Sequence, residues 1–162
     1  MAYDLGHRRF DPSEAADLRR RKERDFVEVI AMRAALLPPA ERILVETVYR
    51  EGASAKAVAL LRGDSPRKVR RQLKTILQRM LEAKFVFVAR ERDRWPRQRE
   101  RVATACVLHG CSLRQSAQRL DVSLHTVRRH MQAVQTLFEA DLGAKRAARD
   151  GASTLRARGR VA

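Results

Sequence analysis

The chain is short of acid. Its 162 residues carry 19 Asp and Glu against 35 Lys and Arg, a formal charge of +16. The sequence pI near 11.4 points to a polyanionic partner, with nucleic acid ahead of a membrane surface. Cysteine is scarce as well: only Cys106 and Cys111 are present, too few for a disulfide scaffold, which fits a reducing cytosol. No apolar run approaches the roughly 18 to 20 residues that span a bilayer, and the N-terminus has no signal-peptide core, so no membrane is expected. No glycine-rich loop is available to cradle a phosphate, the carboxylates are scattered, and no nucleophile stands beside a base. Catalytic residues and a cofactor are therefore not expected. Cys106 and Cys111, with His109 and His130 nearby in sequence, lack paired ligand spacing, so no metal is expected and the two cysteines read as core or junction residues.

Hydrophobic residues make up 44% of the chain, enough for one domain or two small ones with modest cores. The charge is uneven. Residues 1–37 hold 8 basic and 7 acidic groups, residues 38–89 hold 11 and 5, residues 90–140 hold 10 and 5, and residues 141–162 hold 6 and 2. The near-neutral first segment reads as scaffold or a docking helix, and the middle segments as the working part.

Only helices are expected. Asp11-Pro12-Ser13-Glu14 is a helix start with a capping box, followed by helical spacing from Leu18 through Phe26, Val29, Ile30 and Arg33 to Leu37-Pro38-Pro39. Helices then follow over Ala40–Glu51 and Ser54–Arg62. A third after Ser65-Pro66 places Val69, Leu73, Ile76 and Met80 on one stripe. Phe85-Val86-Phe87-Val88 could form a strand, but no partner strand exists and helix is preferred. Another helix begins at Trp95-Pro96. After Leu142, Gly143, Gly151 and Gly159 punctuate a stretch of Ala, Arg and Ser that reads as a disordered basic tail.

Sliding the chain against itself by 58 positions exposes a repeat. Pro38 meets Pro96, Gly52 meets Gly110, Ser54 meets Ser112, Ala59 meets Ala117 and Ser65 meets Ser123. Val69-Arg70-Arg71 meets Val127-Arg128-Arg129, and Leu73, Ile76 and Met80 meet Met131, Val134 and Phe138. These are structural positions: a glycine that ends a helix, serines that cap two helices, a small residue where helices cross, and an inward valine. Short helix, tight turn and second helix give helix-turn-helix spacing. The helix after the turn carries Arg67, Lys68, Arg70, Arg71 and Lys74 in the first copy. In the second it carries His125, Thr126, Arg128, Arg129, His130 and Gln132, donors suited to guanine edges and phosphates. Recurrence of the arginine pairs favours a DNA-facing role over a merely solvated one.

The segment GCSLRQSAQRLDVSLHTVRRHMQAVQTLF, Gly110 to Phe138, resembles the DNA-binding domain of LuxR-type regulators and is also similar to region four of bacterial sigma factors. The preceding WPRQRERVA resembles the start of that domain, with Glu100 at its glutamate position. The first copy, LPPAERILVETVYREGASAKAVALLRGDSPRKVRRQL, looks closer to sigma region four. No sigma region two and no receiver or ligand-binding domain accompanies these units. The resemblance implies an all-α protein with a leading helix over residues 1–37, helix-turn-helix units over 38–89 and 90–141, and a tail over 142–162. It implies groove-facing residues Lys68, Arg70, Arg71 and Lys74 in one copy and His125, Arg128, Arg129 and Gln132 in the other. The expected function is a bacterial, cytoplasmic and nucleoid-associated transcription regulator that binds double-stranded DNA. The rivals are a sigma-like accessory factor that engages RNA polymerase and the DNA-recognition subunit of a phage or mobile-element machine.

Overall fold

The computed structural model describes residues 24–158, with side chains described to Asp150. The Asp11–Glu14 helix start lies outside them. Every regular element among the described residues is helical, so the chain is all-α. Residues 24–34 form α1. Then come α2 (Pro39–Tyr49), α3 (Ala55–Arg62), α4 (Pro66–Leu81) and α5 (Ala83–Glu91). A single 3-10 turn (Arg92–Arg94) leads into α6 (Arg97–Ala103), which widens into a π-helical turn over Thr104–Leu108. The last two helices are α7 (Leu113–Leu120) and α8 (Leu124–Arg158).

The 58-residue repeat recurs in the backbone, hydrogen bond by hydrogen bond. Ser54 caps α3 by accepting from the Ala57 N–H (3.1 Å), as Ser112 caps α7 by accepting from Gln115 (3.2 Å). Both helices end in the left-handed region, at Gly63 (φ 64°) and Asp121 (φ 52°). In each, the next N–H returns to the helix, from Asp64 to the Ala59 carbonyl (2.9 Å) and from Val122 to that of Ala117 (3.1 Å). This is a Schellman closure. Ser65 and Ser123 then accept from the Lys68 and Thr126 N–H groups and start α4 and α8. Before all of this, Gly52 (φ 74°) and Gly110 (φ 68°) reverse the chain after a wide turn.

The duplication is longer than sequence identity shows. Displacing α1 by 58 residues superimposes its positions on those of α5, and Ile30 and Val88 are both fully buried. Each copy is thus a four-helix segment, residues 24–81 and 82–139. Identities at this offset are frequent only from Pro38 and Pro96 onward; before them Ala31 meets Ala89. Between those preceding helices Ile30 and Val88 are the one position buried in both.

By its contacts the chain divides into two compact units, one of residues up to Ala35 with Pro39–Leu73, the other of Leu36–Pro38 with Lys74 onward. In the first, Ile30, Ala34, Leu44, Val45, Val58, Ala59 and Val69 are buried, and Phe26 meets Tyr49 edge-on at 6.1 Å. In the second, α6 packs on α7 and α8 around Val102, Ala117 and Val127, with Cys106, Leu120, Val122, Leu124 and Met131 closing the cluster. The Phe85–Val88 run is helical, in α5, with Phe85, Phe87 and Val88 buried. Phe87 lies 5.4 Å from Phe138 and 5.7 Å from the half-buried Trp95, the position that the repeat offset pairs with the buried Leu37.

The expectation of a disordered tail after Leu142 is corrected. α8 runs on to Arg158, although residues 143–150 are all exposed. Ala144, Lys145, Arg146, Ala147, Ala148 and Arg149 are strong helix formers, and a preformed helix extends more readily than a new one starts. Lys145 also clamps Asp141 one turn back at 2.7 Å.

Candidate nucleic-acid interface

The helix that follows the turn is positioned from inside. In α8, Val127 is fully buried, and the positions on the opposite side of the helix, His125, Arg128, Arg129 and Gln132, are exposed. In α4, Val69 is fully buried, and Arg67, Arg70, Arg71 and Lys74 are exposed at the same four positions of the repeat. The spacing i, i+3, i+4, i+7 puts each quartet on one stripe, roughly 10 Å long at 1.5 Å per residue, the length of about three base-pair steps. No acidic residue interrupts α4, nor α8 between Leu124 and Phe138. The stripe is uniformly cationic in the first copy, and mixed cationic and hydrogen-bonding in the second.

The remaining expected residues have partners of their own. Lys68 is paired with Asp64 in the turn before its helix, which neutralises part of its charge, and valine replaces that aspartate in the second copy. Thr126 is half-buried and shares a hydroxyl–hydroxyl hydrogen bond with Ser123 (2.8 Å), so its side chain serves the helix start. His130 is also half-buried and lies 3.1 Å from the Gln98 side chain. Burial, reinforced by Arg129 and Arg99, pushes its pKa below the ordinary 6.5. At neutral pH it is a hydrogen-bonding group rather than a phosphate-binding cation.

The repeat also brings in a pair that the reading of the helices after the turns missed. Lys56 and Arg114 occupy the same position, second in α3 and in α7, exposed and without an ion pair among the described residues. A cation beside the free N–H groups of a helix start is suited to phosphate oxygens. The signal was available, since the 58-residue offset pairs them directly.

In the second unit two side-chain hydrogen bonds tie α5 to α8. Lys84 on α5 reaches Gln135 on α8 at 2.6 Å, and Arg90 reaches Asp141 at 2.7 Å. Behind α7, Cys106 lies 3.1 Å from the hydroxyl of Ser116, which is fully buried, and burial pushes the Cys106 thiol up from its ordinary pKa. Among the described residues no group of three or more His, Cys, Asp or Glu could hold a metal ion, and no helix is long and apolar enough to cross a membrane. Comparison with known proteins finds no matching family model, no similar curated protein and no similar solved structure.

Proposed function

We propose that the chain is a sequence-specific DNA-binding transcription regulator whose two copies of one helix-turn-helix unit each offer a helix to a major groove. The observation that carries this reading is the recurrence, at four matched positions of both copies, of exposed donors opposite a fully buried valine. A buried anchor fixes the rotation of the helix, and a fixed rotation lets side chains read base edges rather than only attract phosphates. Arg128 and Arg129 are the base-reading candidates, each able to present a bidentate fork to guanine. Lys56, Arg114 and the α4 cations would supply phosphate contacts and salt-dependent affinity.

The test begins with selection from sheared genomic DNA at about 150 mM salt, where non-specific binding is already weakened. Arg128→Ala or Arg129→Ala should then lose about 1–3 kcal/mol on the selected site and relax the preference at one base position. Lys56→Ala or Arg114→Ala should weaken all sequences alike and flatten the salt dependence. Equal losses on every sequence for Arg128→Ala would remove direct readout from the proposal. Failure to retain DNA at low salt would remove the proposal itself.

A further inference from the structure

The two copies act as controls for each other, because they share a backbone and differ in surface. The first copy exposes Ile43 (63%), Leu60 (83%) and Leu61 (85%). At the same places the second copy has Arg101, Gln118 and Arg119. The fold therefore does not require apolar residues there.

In the first unit, Ile43 and Leu61 line a groove of about 350 Å³ between α2 and α3, completed by Ala40, Leu44, Thr47 and Val58, with Arg62 as its one charged residue. The equivalent groove of the second copy holds about 170 Å³ and is lined by Glu100, Arg101, His109 and Arg119 among others. Leu60 borders a neighbouring groove with Ala57 and Lys56, so the outer face of α3 is apolar across Ala57, Leu60 and Leu61 while its inner face buries Val58 and Ala59. A helix that is apolar on both sides is normally covered on both.

We infer that the α2–α3 groove of the first copy is a docking site for an acidic amphipathic helix of another protein. The apolar floor between two helices fits the leucine stripe of a third. Arg62 lines it without an ion pair among the described residues, so a carboxylate on the incoming helix has a partner. A second copy of this chain is the disfavoured occupant, because each carries +16. The inference stands on a surface distinct from the α4 and α8 stripes and does not rest on the DNA reading.

The probe is a fluorescent 16-residue peptide with leucines at i, i+3, i+4 and i+7 spacing and glutamates elsewhere, compared with its lysine counterpart by anisotropy on the full chain. The variant is Ile43→Arg, Leu60→Gln and Leu61→Arg together, which installs the residues that the second copy already tolerates. Its circular dichroism and unfolding midpoint verify that it folds. The acidic peptide should bind saturably, the lysine peptide should not, and the triple variant should weaken binding at least about tenfold. Arg128→Ala should leave peptide binding unchanged. Absence of saturable acidic-peptide binding, equal binding by the triple variant, or equal binding of both peptides overturns the inference. So does sedimentation of a wild-type dimer that the triple variant makes monomeric, since a second copy would then be the occupant.

Discussion

Gly52 and Gly110 form a matched pair whose surroundings differ in one respect, which makes their alanine variants a sharp test of the packing. Both lie in the left-handed region, at φ 74° and 68°. A Cβ on Gly52 would meet nothing within 4 Å, whereas one on Gly110 would run into the Arg79 guanidinium, with Cζ at 2.9 Å and Cδ at 3.2 Å. The left-handed conformation costs an L-residue about 1–2 kcal/mol, and the stiffer unfolded chain returns about 0.4–1 kcal/mol. Gly52→Ala should therefore destabilise by about 0.8 kcal/mol. Gly110→Ala carries the same term and also expels the Arg79 side chain, adding about 1 kcal/mol for a displaced rotamer and lost packing, roughly 1.8 in all. Urea denaturation followed by circular dichroism should resolve the two, and melting points should fall by about 2–4 °C per kcal/mol. The decisive measurement is the cycle with Arg79→Ala: in that background the excess at Gly110 should vanish, leaving the Gly52 value. Equal losses at the two glycines, or an excess that survives Arg79→Ala, would refute the reasoning.

Three further outcomes can be checked in the same preparations. Ser112→Ala removes a full capping box, in which Gln115 returns a side-chain bond to the Ser112 N–H at 2.8 Å, and should cost about 1 kcal/mol. Ser54→Ala, whose cap lacks the return bond because Ala57 stands at that place, should cost less, and the reverse order would contradict the geometry. Lys145, and then Arg90, hold the Asp141 carboxyl below its ordinary 3.8, while Arg90 and Arg94 hold down that of Glu91. A depressed folded pKa stabilises above the unfolded value and is lost on acidification, so denaturation midpoints should decline below about pH 4. Asp141→Asn should flatten that decline, and superimposable profiles would show the pairs to be energetically silent. Finally, the half-buried Cys106, whose thiol is pushed up by burial, should alkylate more slowly in Cys111→Ser than Cys111 does in Cys106→Ser. Faster reaction at Cys106 would mean that its neighbourhood opens.

The helices and their boundaries were legible because local chemistry sets them. Ser54, Ser112, Ser65 and Ser123 begin helices by capping free N–H groups, and Gly63 ends α3 by entering the left-handed region without penalty. Val69 and Val127 could be placed inside from helical periodicity and the repeat, whereas the outward positions came with the family resemblance, which has Lys68 where the exposed stripe has Arg67. Sequence identity did not reveal α1 as the counterpart of α5, since a buried position accepts Ile or Val alike and leaves little trace. Nor did composition anticipate that α8 would continue past Leu142, where helix propensity and continuity outweigh the lack of anything to bury.

The sequence by itself determined an all-α chain, a duplicated unit and an inward valine on the helix after each turn, because capping, periodicity and repeat spacing act within a few residues. Only the tertiary structure decided how the other polar residues of those helices are engaged. Lys68 lies against Asp64 and His130 against Gln98, and Thr126 serves the helix start through Ser123. It alone also separated the two copies into one with an exposed apolar groove and one with a charged groove. Such distinctions depend on which faces two packed helices leave uncovered, and exposure is a property of the packed chain rather than of any residue type.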